Sequence, residues 1–118
     1  MLTPRSIAVA TLACFALIAA PASAATRNCN VQNDAGTYGV TYVTSLKVTN
    51  VTCARGKRVV RAFHRCRKAN GGIKGRCATR VLGFRCTEDR SAIATQFSSR
   101  VVCRDGTRRV VHTYTQNT

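Results

Sequence analysis

Six cysteines constrain this chain more than any other feature. Seven are present, and the first, Cys14, lies inside an apolar N-terminal run that reads as a removable export signal. Arg5 precedes "IAVATLACFALIAA" (residues 7–20), and the small residues of "PASAA" follow. A basic start, an apolar centre and an Ala-x-Ala site make a secretory signal, with cleavage expected after Ala24. The run is fourteen residues, short of the roughly 20 that span a bilayer. "TLAC" loosely resembles a lipidation site at Cys14, but the apolar residues after it make a poor mature N-terminus.

Removing residues 1–24 from 118 leaves one domain over residues 25–118 and six cysteines: Cys29, Cys53, Cys66, Cys77, Cys86 and Cys103. An even count in a small exported chain reads as three disulfides. A domain this small buries a modest core and benefits from staples, each typically worth about 2–4 kcal/mol. Successive cysteines are 24, 13, 11, 9 and 17 residues apart. No close pair seeds a zinc site, so no metal is expected. Six cysteines allow 15 pairings, and the count chooses none of them. Local geometry favours one set. A hairpin and the strand before it suggest Cys86–Cys103, and a helix end and its following loop suggest Cys66–Cys77. Cys29–Cys53 remains.

Residues 25–36 are polar and turn-rich, an expected loop pinned by Cys29. In residues 37–51, Val40, Tyr42, Thr44, Leu46 and Val48 alternate as in a strand, with room for a kink near Ser45. Thr52 is a good N-cap, and Asn70-Gly71-Gly72 a good helix stop. Between them, Cys53, Val59, Val60, Phe63 and Cys66 fall on one arc of a helical wheel. Lys57, Arg58, Arg61, His64, Arg65 and Lys68 fall on a broad cationic arc. Gly56 lies on the apolar side, as a close backbone approach would require. Residues 71–80 form a Gly-rich basic loop. "RVLGFRCT" (residues 80–87) reads as a strand and "EDRSAIATQ" (residues 88–96) as a loop. Asp105-Gly106 between Val-rich runs is a two-residue hairpin turn. That turn pairs Arg104 with Thr107, Cys103 with Arg108 and Val101 with Val110. It puts Val101, Cys103, Val110 and Tyr114 on the core face, and Arg100, Arg104 and Arg109 on the other.

The resulting expectation is an α+β domain. One amphipathic helix packs on a small antiparallel sheet in the order strand-helix-strand-strand-strand.

"VTCARGKRVVRAFHRC", "GFRC" and "VVCRDGTRRV" together resemble small exported actinobacterial proteins. In those, a Cys opens an Ala/Arg/Val helix (here Cys53), a Gly-aromatic-x-Cys strand follows (ending at Cys86), and a last Cys precedes a basic strand (Cys103). The resemblance covers about residues 48–111. It implies the same fold and carries no activity.

Nineteen Lys and Arg stand against four acids, a formal +15, or +14 once Arg5 is removed. Such a field favours anionic partners. The acids Asp34, Glu88, Asp89 and Asp105 all fall in expected turns or loops, a poor basis for paired catalytic carboxylates. A ribonuclease-like pair would need His64 and His112, but His64 falls on the solvated arc. No nucleotide-loop, nucleophile-elbow or zinc-protease motif occurs, and no cofactor is implied. The absence of Trp and scarcity of aromatics leave few stacking platforms, so no specific nucleic-acid partner is expected. The sequence points to a secreted or envelope-located, non-catalytic, monomeric cationic protein. Its expected partners are anionic polymers, lipid head groups or an acidic protein, met by Lys57, Arg58, Arg61, Arg65 and Lys68. The alternative is a small inhibitor or toxin-like effector that presents loop 71–76 to a protein.

Overall fold

The structure, a computed structural model, describes residues 2, 4, 8–17, 25–32 and 36–118. The cleavage site after Ala24 and the acid Asp34 lie outside the described residues. Residues 8–17 are exposed and carry no regular structure. Among the described residues, no helix is long and apolar enough to cross a membrane.

The domain is α+β. Its strands are β1 (Thr26–Cys29), β2 (Tyr42–Thr49), β3 (Arg85–Ile93), β4 (Gln96–Asp105) and β5 (Arg108–Asn117), and its helix α1 spans Cys53–Ala69. The strands form one antiparallel sheet in the order β1-β2-β5-β4-β3. Helix α1 covers one face of it. Cys29–Cys53, Cys66–Cys77 and Cys86–Cys103 are disulfide-bonded, the set that local geometry favoured. Three disulfides suit an oxidising, extracytoplasmic environment.

The helix forms where the caps place it. The Thr52 hydroxyl accepts from the Arg55 N–H at 3.1 Å, and Asn70 closes the C-terminus. Val59, Val60 and Phe63 are buried against Leu46, Val48, Val101 and Val110 of the sheet. Gly56 is the point of closest approach. A Cβ placed there would stand 2.5 Å from Val48 Cγ1, closer than carbon atoms pack.

Four expectations need correction. The expected N-terminal loop contains strand β1. Its polar side chains are no obstacle, because an edge strand needs only its backbone to pair, and Cys29 bonds it to the helix start. Residues 88–96 are not a loop. β3 runs through Glu88 and Asp89 to Ile93 and turns at residues 94–95 into β4. Charged residues mask this strand, whose alternate side chains Cys86, Glu88 and Arg90 turn inward. The strand expected from residue 80 starts at Arg85. Val81 and Phe84 pair across a tight turn with Leu82 and Gly83 both at positive φ.

The last hairpin pairs Asp105 with Arg108, Arg104 with Arg109, Cys103 with Val110 and Val101 with His112. Its central residues are Gly106 and Thr107, not Asp105 and Gly106. Only Gly106 has positive φ, which suits a turn with Gly first rather than the Asp-Gly type. The slip is two residues, so the faces are unchanged. Val101, Cys103, Val110 and Tyr114 are all buried, as expected. A register shift between Val43 and Ser45 in β2 marks the expected kink. It buries Val43 and leaves Tyr42 and Thr44 exposed.

Gly56→Ala tests the helix contact. Helix propensity alone would stabilise by about 1 kcal/mol. Overpacking against Val48 should outweigh that, at about 1–3 kcal/mol. The denaturant midpoint of the oxidised protein should therefore fall, and a higher midpoint would disprove the close packing.

Candidate functional site

Two groups of polar residues compete for a functional role: one sealed beneath the helix and one spread over the open side of the sheet.

The sealed group begins with His64 on α1. The wheel placed it on the solvated arc, yet it is fully buried, as is His112 on β5. The chain passing through Tyr38 and Gly39 packs over His64 and closes it off. Arg67 is also buried. Its Nε donates to His64 Nδ1 at 2.8 Å, and the two histidine Nε2 atoms are 2.9 Å apart. These contacts fix the protons. With Nδ1 accepting, neutral His64 carries its hydrogen on Nε2 and donates to His112 Nε2. His112 then carries its hydrogen on Nδ1, which has no partner. Arg67 also donates to the Ile73 carbonyl at 2.6 Å and Gln116 Oε1 at 2.8 Å, and lies over the Tyr114 ring.

Glu88 anchors the adjoining half of this group. It accepts from Arg90 at 2.7 and 3.0 Å, from Ser99 at 2.7 Å and from the Tyr114 hydroxyl at 2.7 Å. Burial alone would raise its pKa, but the hydrogen bonds from Arg90, Ser99 and Tyr114 outweigh burial and lower it. Tyr114 is pushed up to about 12, first by burial and then by its bond to Glu88. Burial holds His112 down to about 3, with Glu88 opposing and Arg67 adding. Burial, then His112 and Arg67, hold His64 well below the usual histidine range. A general base must come within about 3 Å of its substrate. These rings are sealed, and every nitrogen but one is engaged, so their evident work is to join α1 to β5.

The open group is cationic. Of the five helix positions expected to meet a partner, Arg58, Arg65 and Lys68 are exposed. Arg61 is not: it is half-buried and lies over the Tyr38 ring at 5.1 Å. Lys57 is also half-buried and already engaged. The face of the sheet away from the helix carries Lys47, Arg85, Arg100, Arg104 and Arg109. Among the described residues, none of these five has a hydrogen-bond or ion-pair partner, and Arg109 Nε is both covered and unpaired. Arg85 pairs directly with Arg104, and Arg104 with Arg109. Three arginines therefore stand side by side on three adjacent strands. Threonine and serine hydroxyls fill the neighbouring positions, with Thr26–Thr49 at 2.9 Å and Thr44–Thr113 and Ser45–Thr113 at 2.6 Å.

Sequence reasoning had put Arg100, Arg104 and Arg109 on one face but missed Lys47 and Arg85. The signal was available: Lys47 lies between Leu46 and Val48, and Arg85 precedes Cys86. Among the described residues, no cluster of three or more His, Cys, Asp or Glu could hold a metal ion.

The histidine pair makes stability depend on pH. Both folded-state pKa values lie below the ordinary value of about 6.5, so the unfolded chain binds protons that the folded chain refuses. The contribution is complete above about pH 6.5 and is lost as pH falls, at about 1.4 kcal/mol per pH unit for each ring. Glu88 adds its own loss only near and below the ordinary carboxylate range. The melting temperature of the oxidised protein should therefore drop steeply between pH 7 and 5; a flat profile there would show that the rings are not held neutral.

Comparison with known protein families, characterised proteins and solved structures finds no match to this chain.

Proposed function

We propose that this is an exported, non-catalytic cationic protein that associates with anionic polymers outside the cytoplasm, chiefly through the open face of its sheet. The row Arg85–Arg104–Arg109 carries this reading. Like charges directly opposite one another on adjacent strands are destabilising. A row of three with no counter-ion is costly unless an anion bridges it, and local rules broken this way concentrate at functional sites. Lys47 and Arg100 widen the same field. The part of the face around these arginines is polar, and the exposed apolar side chains Tyr42 and Ile93 lie at its far end, away from the arginine row, which favours a polymer over a lipid surface. The basic back of α1, with Arg58, Arg65 and Lys68, is a second and weaker contact on the opposite side. The N-terminal signal and three disulfides support export.

One observation favours a second reading, a protein-binding effector. Arg67 donates to the Ile73 carbonyl, and Arg90 donates to those of Lys74 and Gly75 at 2.8 and 2.5 Å. With Cys66–Cys77 alongside, loop 71–76 is held in one shape, as preorganised binding loops are.

Salt separates the two. Polyanion association weakens steeply with ionic strength, whereas a shape-matched protein contact holds. On an anionic matrix, Arg85→Gln/Arg104→Gln/Arg109→Gln should elute at lower salt than the parent, its salt slope reduced by about one for each arginine replaced. Without polymer, the same variant should melt at a higher temperature, because the repulsion is gone. Unchanged elution would remove the sheet face from the reading. A larger shift from Arg58→Gln/Arg65→Gln/Lys68→Gln would move the contact to the helix.

A further inference from the structure

We infer that the polymer is an acidic polysaccharide, and that the sheet face holds a site for one of its sugar units; this rests on the polyanion reading above. The site is a concavity of about 380 Å³ over the paired strands β2 and β5. Val111 forms its floor. Lys47 lies directly across from Val111 on β2, Arg109 and Thr113 lie two residues away along β5, and Arg100 lies across from Thr113 on β4. Three long cations thus ring a short apolar centre. Ser45 and Thr49 of β2 and Thr26 and Asn28 of β1 complete the lining.

Each part matches a different part of an acidic sugar. A carboxylate or sulfate accepts hydrogen bonds and suits the guanidinium groups of Arg100 and Arg109. Sugar hydroxyls both donate and accept. The hydroxyls of Thr44, Ser45 and Thr113 do the same and keep unused capacity: Thr113 bonds both Thr44 and Ser45 at 2.6 Å, and those two bonds leave one hydrogen and four lone pairs among the three groups. The C–H face of a sugar ring is apolar and fits against Val111. A phosphate chain fits less well. It offers only acceptors, so it satisfies Lys47, Arg100 and Arg109 but leaves the hydroxyls' accepting capacity idle. A single-stranded nucleic acid needs aromatic platforms for its bases, and no aromatic side chain lines this concavity. The row of Arg85, Arg104 and Arg109 continues the cationic field beyond the concavity, as a ligand longer than one unit requires.

The experiment compares three polymers at matched charge on the oxidised protein across a salt series: polygalacturonate, dextran sulfate and inorganic polyphosphate. At least one of the two polysaccharides should be retained to higher salt than polyphosphate, and which one identifies the acid group. Thr113→Val removes a hydroxyl and no charge. It should weaken polysaccharide binding roughly five- to tenfold and leave polyphosphate binding unchanged. Ser45→Ala repeats the test at an exposed position should Thr113→Val lower the melting temperature. Retention of polyphosphate to equal or higher salt, or an equal effect of both variants on all polymers, overturns the sugar assignment and leaves the polyanion reading intact. Failure to retain any of the three overturns both.

Discussion

The guanidinium of Arg67 is the pin on which the packing of helix to sheet depends. It lies on the core side of α1 and reaches His64 on its own helix, the Ile73 carbonyl in the following loop, and Gln116 and Tyr114 on β5. A buried charge is tolerated only when its donors are met, and each Arg67 nitrogen has an acceptor. Among the described residues, no carboxylate touches it directly. Glu88 is one residue further away, bonded to the Tyr114 hydroxyl. The interior therefore holds a positive charge that neighbouring groups must accommodate. The two histidines do so by remaining neutral, with their hydrogens pointing away from Arg67 along the chain His64 to His112. An added proton has no site on either ring except by breaking one of those two hydrogen bonds.

This arrangement sorts the basic residues into those consumed by folding and those left over. Arg67 and Arg90 are consumed in the interior. Arg61 lies over Tyr38 and Arg108 over Phe84. Arg55 reaches the Leu82 carbonyl, and Arg108 also pairs with Asp105. The remainder on the sheet face have no structural task, yet they sit where they oppose one another. Compositional bias toward arginine would scatter such residues among many positions. It would not by itself align three of them across three strands.

Much of the fold was legible because its signals are local. Thr52 and Asn70 fix the ends of α1, the alternation of valines sets the faces of β4 and β5, and the helix end with its following loop and the hairpin with its preceding strand favour Cys66–Cys77 and Cys86–Cys103. The errors share another origin. The hairpin register turned on whether Asp105 or Gly106 occupies the first central position, which only the backbone angles decide. Glu88 and Arg90 sit in a strand whose inward face is charged, and such residues read as loop until their partners Ser99 and Tyr114 are known. His64 lies at the margin of the cationic arc, so its burial depends on the Tyr38–Gly39 segment, distant in sequence. Arg67 was the missed clue. It falls on the same arc as Val60 and Phe63, where an arginine needs either a partner or an exit to solvent.

The cationic row and the disulfide framework are also connected. Arg85 and Arg104 face each other in the pair next to Cys86 and Cys103, whose Cα atoms are 4.0 Å apart across the same two strands. Repulsion between the arginines acts to part β3 from β4 at their ends, where an edge strand is most easily frayed. The disulfide holds those strands covalently, one position away. A domain with a core this small has little spare stability to offset repulsion on its surface. Placing the staple beside the charge pair confines the cost to where a covalent bond can bear it. The cationic face can then remain unpaired, and available to an external anion, without loosening the edge of the sheet.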